Sequence, residues 1–162
     1  DRAFRKLDEI KPHIRKWWET ASEAQQMFNA GIVDMGLSFD GRIVALQKAG
    51  VPVEFTFNDA RYYATFWAIP KGAKHEAEAQ KFIEFATRGE NQATLTKIMG
   101  YAPPNENAFE YLSPELAASL ITAPENIKNA YPMDMQWYAE VGEDGKTNSE
   151  RIMERWQEWI LQ

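Results

Sequence analysis

Arg61-Tyr62-Tyr63-Ala64-Thr65-Phe66-Trp67-Ala68-Ile69-Pro70 is a ring-rich, extended run that ends at a proline. Residues 75–88 then read as a helix stopped by Gly89, and residues 90–99 as a second helix stopped by Gly100. Glycine takes left-handed backbone past a helix end without a Cβ penalty, so both stops have a physical cause. The chain leaves the second helix through Tyr101-Ala102-Pro103-Pro104-Asn105, a lone ring ahead of a double proline that cannot continue a helix.

Upstream of that run, helix and strand signals alternate. Phe4, Leu7 and Ile10 sit at helical spacing and Pro12 ends the segment, which predicts a helix over 1–11. Residues 13–18 are strand-like, and Thr20-Ala21-Ser22-Glu23 has the form of a capping box before a helix that ends at Gly31. Residues 32–39 read as a strand and 41–49 as a helix stopped by Gly50. Val51, Val53, Phe55 and Phe57 alternate with Pro52, Glu54, Thr56 and Asn58, the pattern of a half-buried strand. Such alternation is the signature of an α/β layered sheet. From Lys74 onward the chain is mostly helical. Ser113-Pro114-Glu115 and Thr147-Asn148-Ser149-Glu150 are helix starts, and the last helix carries Ile152, Trp156, Trp159 and Ile160 on one face.

The bulk numbers narrow the class. A chain of 162 residues with 44% hydrophobic and 26% charged residues is a globular domain, not a disordered one. A net charge of −6 argues against nucleic acid, because phosphate binding needs a basic face. No apolar run reaches the roughly 20 residues a membrane span requires. Without cysteine, no disulfide or thiolate metal site is possible. The start at Asp1, without methionine or signal peptide, leads us to expect a trimmed product or a piece of a longer chain.

Catalytic marks are weak. In Gly36-Leu37-Ser38-Phe39-Asp40-Gly41 the second glycine falls one position late for a nucleophile elbow. The two histidines, His13 and His75, share no ligand spacing, and no glycine loop could cradle phosphate. We therefore expect no catalytic residue, metal or cofactor. Two alternatives remain: an α/β hydrolase or transferase domain using Asp34, Asp40 or Asp59, or a helical interaction module built on the Trp156–Trp159 face.

The order of elements from Arg61 to Asn105 resembles the second half of the spermidine/putrescine-binding family of periplasmic solute-binding proteins, which serve ABC importers. The resemblance implies a two-lobed α/β architecture of the type II periplasmic binding proteins, with this chain roughly its C-terminal half. Residues 1–58 would end the second lobe, 59–68 would cross the hinge, and 69–162 would return to the first. The implied function is capture of a small amine by lobe closure, with a permease and an ATPase as partners and the periplasm as location.

Six positions are candidates for ligand binding, four of them from the same resemblance and two, Asp40 and Arg61, from their charge. Phe39 stands where the family usually has a stacking tryptophan ahead of an Asn-Gly or Asp-Gly turn, here Asp40-Gly41. Tyr63 matches a second aromatic position and Tyr101 a third. Thr65 stands where polyamine binders carry an aspartate, a change worth on the order of 2–5 kcal/mol for a buried charge pair. Arg61 would repel a polyamine, yet it could grip a carboxylate in bidentate fashion. Together Thr65 and Arg61 point to a ligand bearing both groups, such as γ-aminobutyrate, with Asp40 or Asp59 on its amine. Gln136 and Trp137 are weaker candidates. On the residues alone, Phe39 equally suits a core strand end and Arg61 an exposed strand.

Overall fold

The computed structural model describes residues 1–162. Helix α1 (Arg2–Ile10) runs into a 3-10 turn (Lys11–His13) at Pro12. Helix α2 (Ala21–Asn29) starts at Thr20, whose hydroxyl accepts from the Glu23 amide at 3.2 Å. Only half of the expected capping box forms there. The Glu23 carboxylate reaches one residue too far, accepting from the Glu19 amide at 2.9 Å and pairing with Lys16. Next come α3 (Asp40–Lys48), β1 (Arg61–Tyr62), α4 (Glu76–Ala86), α5 (Gly89–Met99) and a 3-10 segment (Glu106–Tyr111). The chain ends with α6 (Pro114–Ala118), α7 (Pro124–Ile127), β2 (Tyr131–Pro132), α8 (Met135–Ala139) and α9 (Asn148–Ile160).

Helix ends follow their expected chemistry with one difference. Gly100 takes φ +77° at the end of α5, as a left-handed cap should. Gly89, read as a stop, is instead the first residue of α5. It lies against the backbone of Asn107 and Ala108, where an added Cβ would come within 2.9 Å of the Asn107 carbonyl carbon. Close approach, not chain reversal, is what needs glycine there. At α9 both halves of a capping box form: the Thr147 amide donates to Glu150 Oε2 at 2.7 Å, and the Glu150 amide to Thr147 Oγ1 at 3.1 Å.

The strands expected at 13–18, 32–39 and 51–57 do not form. The one sheet is a parallel pair of two-residue strands, with Arg61 opposite Tyr131 and Tyr62 opposite Pro132. A strand exists only through hydrogen bonds to a neighbour, and these segments have no neighbouring strand to bond. The sequence pattern still governs their side chains. Val51, Val53, Phe55 and Phe57 are half-buried while Pro52, Glu54, Thr56 and Asn58 are exposed.

The core is sparse. Only 14 of 162 residues are buried, and the chain exposes 12647 Å². A compact 18.6 kDa monomer exposes about 8200 Å², so large faces here lack the cover a finished fold supplies. Met35, Leu37 and Phe66 are each more than four-fifths exposed.

Packing sorts the chain into two groups. Residues 1–62 pack with 113–162. Trp159 lies edge-on to Phe4 and Trp17 and donates its indole N–H to Asp8 at 2.6 Å. Arg155 pairs with Asp1, and the Asp59 amide bonds the Asn129 carbonyl. Residues 66–111 pack among themselves. Trp67 meets Phe82 at 5.2 Å, and Asn105 bonds Gln92 and the Thr87 carbonyl. The aromatic face of α9 thus packs the last helix against α1.

Candidate ligand-binding site

The N-terminus of α3 is where the expected residues converge. Phe39 holds the cap position in extended backbone, and Asp40 opens the helix with Oδ1 accepting from the Gly41 amide at 2.9 Å. Burial pushes the Asp40 carboxyl above its ordinary range, only partly offset by that amide. None of the seven ion pairs in the molecule includes Asp40. A desolvated carboxylate without a cation beside it is an expensive arrangement, and it recurs where a ligand supplies the charge.

Tyr101 is the second member. The left-handed turn at Gly100 ends α5 against Val44 of α3, and the following residue lays its ring on Gly41. A Cβ on Gly41 would stand 2.6 Å from the Met99 carbonyl oxygen and 2.7 Å from the Tyr101 ring. Burial raises the Tyr101 phenol, and the charges of Asp40 and Tyr63 raise it further while Arg42 acts the other way. Tyr63 therefore lies within the same electrostatic field, with about half of its surface open.

Phe39 is 39% exposed and meets the edge of Trp18 at 6.3 Å between ring centroids. Sequence reasoning missed Trp18. The signal was the adjacent pair Trp17-Trp18 in extended chain, where neighbours face opposite ways: Trp17 turns to Trp156 and Trp159, Trp18 to Phe39. It also missed Ser38, whose buried hydroxyl has no hydrogen-bond partner. Such a group, next to Phe39 and Asp40, has unused capacity for a ligand or water.

The other candidates stand apart from this cluster. The Arg61 guanidinium lies over the Tyr131 ring at 4.9 Å, and none of its N–H groups makes a hydrogen bond or ion pair within the protein. Thr65 is exposed and its hydroxyl is unpaired. Gln136 and Trp137 lie in α8, with the Trp137 ring packed on Tyr138. Behind Asp40, a cavity of about 260 Å³ runs between α3 and α5, lined also by Val44, Phe55, Phe57, Thr96 and Leu116. Asp34 and Asp59 do not line it. Trp159 is only 6% exposed, which makes the Trp156–Trp159 face part of the core and not an interaction surface. No helix is long and apolar enough to cross a membrane.

Residues 1–129 match a family model described as bacterial extracellular solute-binding protein. The chain is 35% identical over 143 residues to the gamma-aminobutyric acid-binding protein of Pseudomonas aeruginosa, covering 88% of this chain and 40% of that protein. It is 27% identical over 146 residues to the spermidine/putrescine-binding periplasmic protein of Escherichia coli, covering 86% of this chain and 39% of that one. Among solved structures, an ABC transporter substrate-binding protein from Bradyrhizobium japonicum superposes with a TM-score of 0.87 at 36% identity, over 99% of this chain and 48% of the other. The fold is thus the α/β periplasmic-binding-protein architecture, and the chain spans less than half the length of these relatives.

Proposed function

Because the chain belongs to the bacterial extracellular solute-binding protein family, we propose that it supplies half of the capture component of an ABC importer for a small molecule carrying both an amine and a carboxylate, of which γ-aminobutyrate is the model compound. The protein binds and releases; it makes and breaks no bonds. Its partners are a permease and an ATPase that read the closed form, and its place is the periplasm.

Asp40 carries this reading. It is a desolvated carboxylate with no ion-pair partner in the protein, with Phe39 before it in the chain, Trp18 edge-on to Phe39, and its charge felt by Tyr101. An ammonium group entering there gains the charge partner and the ring faces together. Arg61, held over Tyr131 with its donors unused, is the group for the ligand carboxylate once the lobes meet. Tyr63 and Thr65 line the crossing between them, and the threonine removes the second carboxylate that a diamine would want.

Isothermal titration calorimetry on the complete protein tests this with γ-aminobutyrate, putrescine, spermidine and alanine. We expect binding of γ-aminobutyrate, weakened about 10-fold or more in Asp40→Asn, in line with the loss of a charged hydrogen bond. Tight spermidine binding with none to γ-aminobutyrate would overturn the assignment of Arg61 and Thr65. The 162-residue chain alone should bind weakly or not at all, since its cleft lacks one wall.

A further inference from the structure

Residues 66–111 are joined to the rest of the molecule by few polar contacts: apart from the Leu112 amide at the chain junction, every hydrogen bond between the two groups comes from one side chain. Lys48 Nζ donates to the carbonyl of Lys97 at 3.0 Å and to that of Ile98 at 3.2 Å. No ion pair crosses. The acceptors lie in the last turn of α5, where carbonyls have no helical partner and the helix dipole is negative, so an ammonium is the matched donor.

The contact belongs to a stripe. Gly41, Val44 and Lys48 fall at i, i+3 and i+7 on α3, one face of the helix. Each meets the end of α5: Gly41 the Met99 carbonyl and Tyr101 ring, Val44 the Gly100 backbone, Lys48 the Lys97 and Ile98 carbonyls. We propose that this stripe is the closing seam between two bodies, residues 1–62 with 113–162 on one side and 66–111 on the other, and that Lys48 is its positioning residue. By holding the end of α5, Lys48 sets Tyr101 beside Asp40. Lys48 is exposed, so water competes for the same bonds and the seam can open. The inference rests on the site described under the proposed function, but its first readout needs no ligand.

The chain has no cysteine, so Glu78→Cys on α4 and Glu158→Cys on α9 place one spin label on each body. In the complete protein, with any cysteine elsewhere replaced by serine, the distance distribution is measured by pulsed electron paramagnetic resonance. Lys48→Met should move population to longer distances, and Lys48→Arg, which keeps the donors, should restore the original distribution. With γ-aminobutyrate, Lys48→Met should raise the dissociation rate about 3- to 10-fold, the scale of one or two exposed hydrogen bonds, and leave the association rate unchanged. A merely structural lysine would lower the melting temperature and move neither quantity. An unchanged distance distribution in Lys48→Met overturns the seam, even if γ-aminobutyrate binds. A changed distribution in a protein that binds none of the four compounds leaves the seam standing and removes the proposed function.

Discussion

The Tyr101 ring rests directly on the backbone of Gly41, leaving no room for a Cβ between α3 and the end of α5. The obstacle is partly backbone, since a methyl at position 41 would also stand 2.6 Å from the Met99 carbonyl oxygen. A flexible side chain could swing away; a carbonyl in a helix end cannot. Gly41→Ala should therefore destabilise the protein by about 1–3 kcal/mol, the usual scale of overpacking. Urea denaturation gives the loss, and hydrogen exchange at the Gly100 and Tyr101 amides should speed up. Wild-type exchange there would mean that the two helix ends do not meet in solution.

Asp40 provides a pH signature. Its folded pKa is raised by burial above the unfolded value, so its contribution to stability is complete below the unfolded pKa, near pH 4, and is lost as pH rises through the folded pKa. At neutral pH the charged form opposes folding. Asp40→Asn should accordingly raise the melting temperature at pH 7, with the gain vanishing toward pH 4, while weakening γ-aminobutyrate. A variant that is less stable at pH 7 would mean that a cation within the protein already pairs with Asp40.

Helices were legible because their signals are local: Pro12 ending α1, Thr20 and Thr147 as caps, and Gly100 as a left-handed stop. Strands were not, because an alternating run such as Val51–Phe57 encodes which side chains face inward but not who bonds its backbone. The site divides the same way. Phe39, Tyr63 and Tyr101 came from matching positions to a family and Asp40 from its charge, and Phe39, Asp40 and Tyr101 meet at the junction of α3 and α5. Lys48 left no trace, since a lysine in the last turn of a helix reads as a cap for its own C-terminus. The partner of α9 was hidden for a similar reason: Trp156 and Trp159 announce a buried face without naming what buries it.

Trp159 and Asp8 hold the first and last helices together, and two variants separate packing from hydrogen bonding. Trp159→Phe keeps most of the ring but loses the 2.6 Å bond to Asp8. It should cost about 1–2 kcal/mol, because the carboxylate loses a charge-assisted partner. Trp159→Ala also empties the space among Phe4, Trp17 and Trp156 and should cost about 3–5 kcal/mol. Chemical denaturation of both variants checks the order. Equal losses would mean that the hydrogen bond, not the aromatic cluster, joins α1 to α9.

Asp144 and Arg151 make a second pH-dependent link, of opposite sign to Asp40. The Arg151 guanidinium grips both oxygens of Asp144, at 2.6 and 3.1 Å, and the Lys146 amide adds a third donor at 3.1 Å. Arg151 first, then that amide, hold the carboxyl far below the usual aspartate range. A depressed pKa stabilises the fold above the unfolded value, near pH 4, and the contribution fades as pH falls toward the folded one. Both groups are exposed, so salt should weaken the link. A carbon-detected NMR titration should place the Asp144 midpoint well below the usual aspartate range, and either 1 M salt, where the Debye length is about 3 Å, or Arg151→Ala should raise it. A midpoint that ignores Arg151→Ala would show that the turn amide alone sets it, and the start of α9 would then keep its order at acid pH.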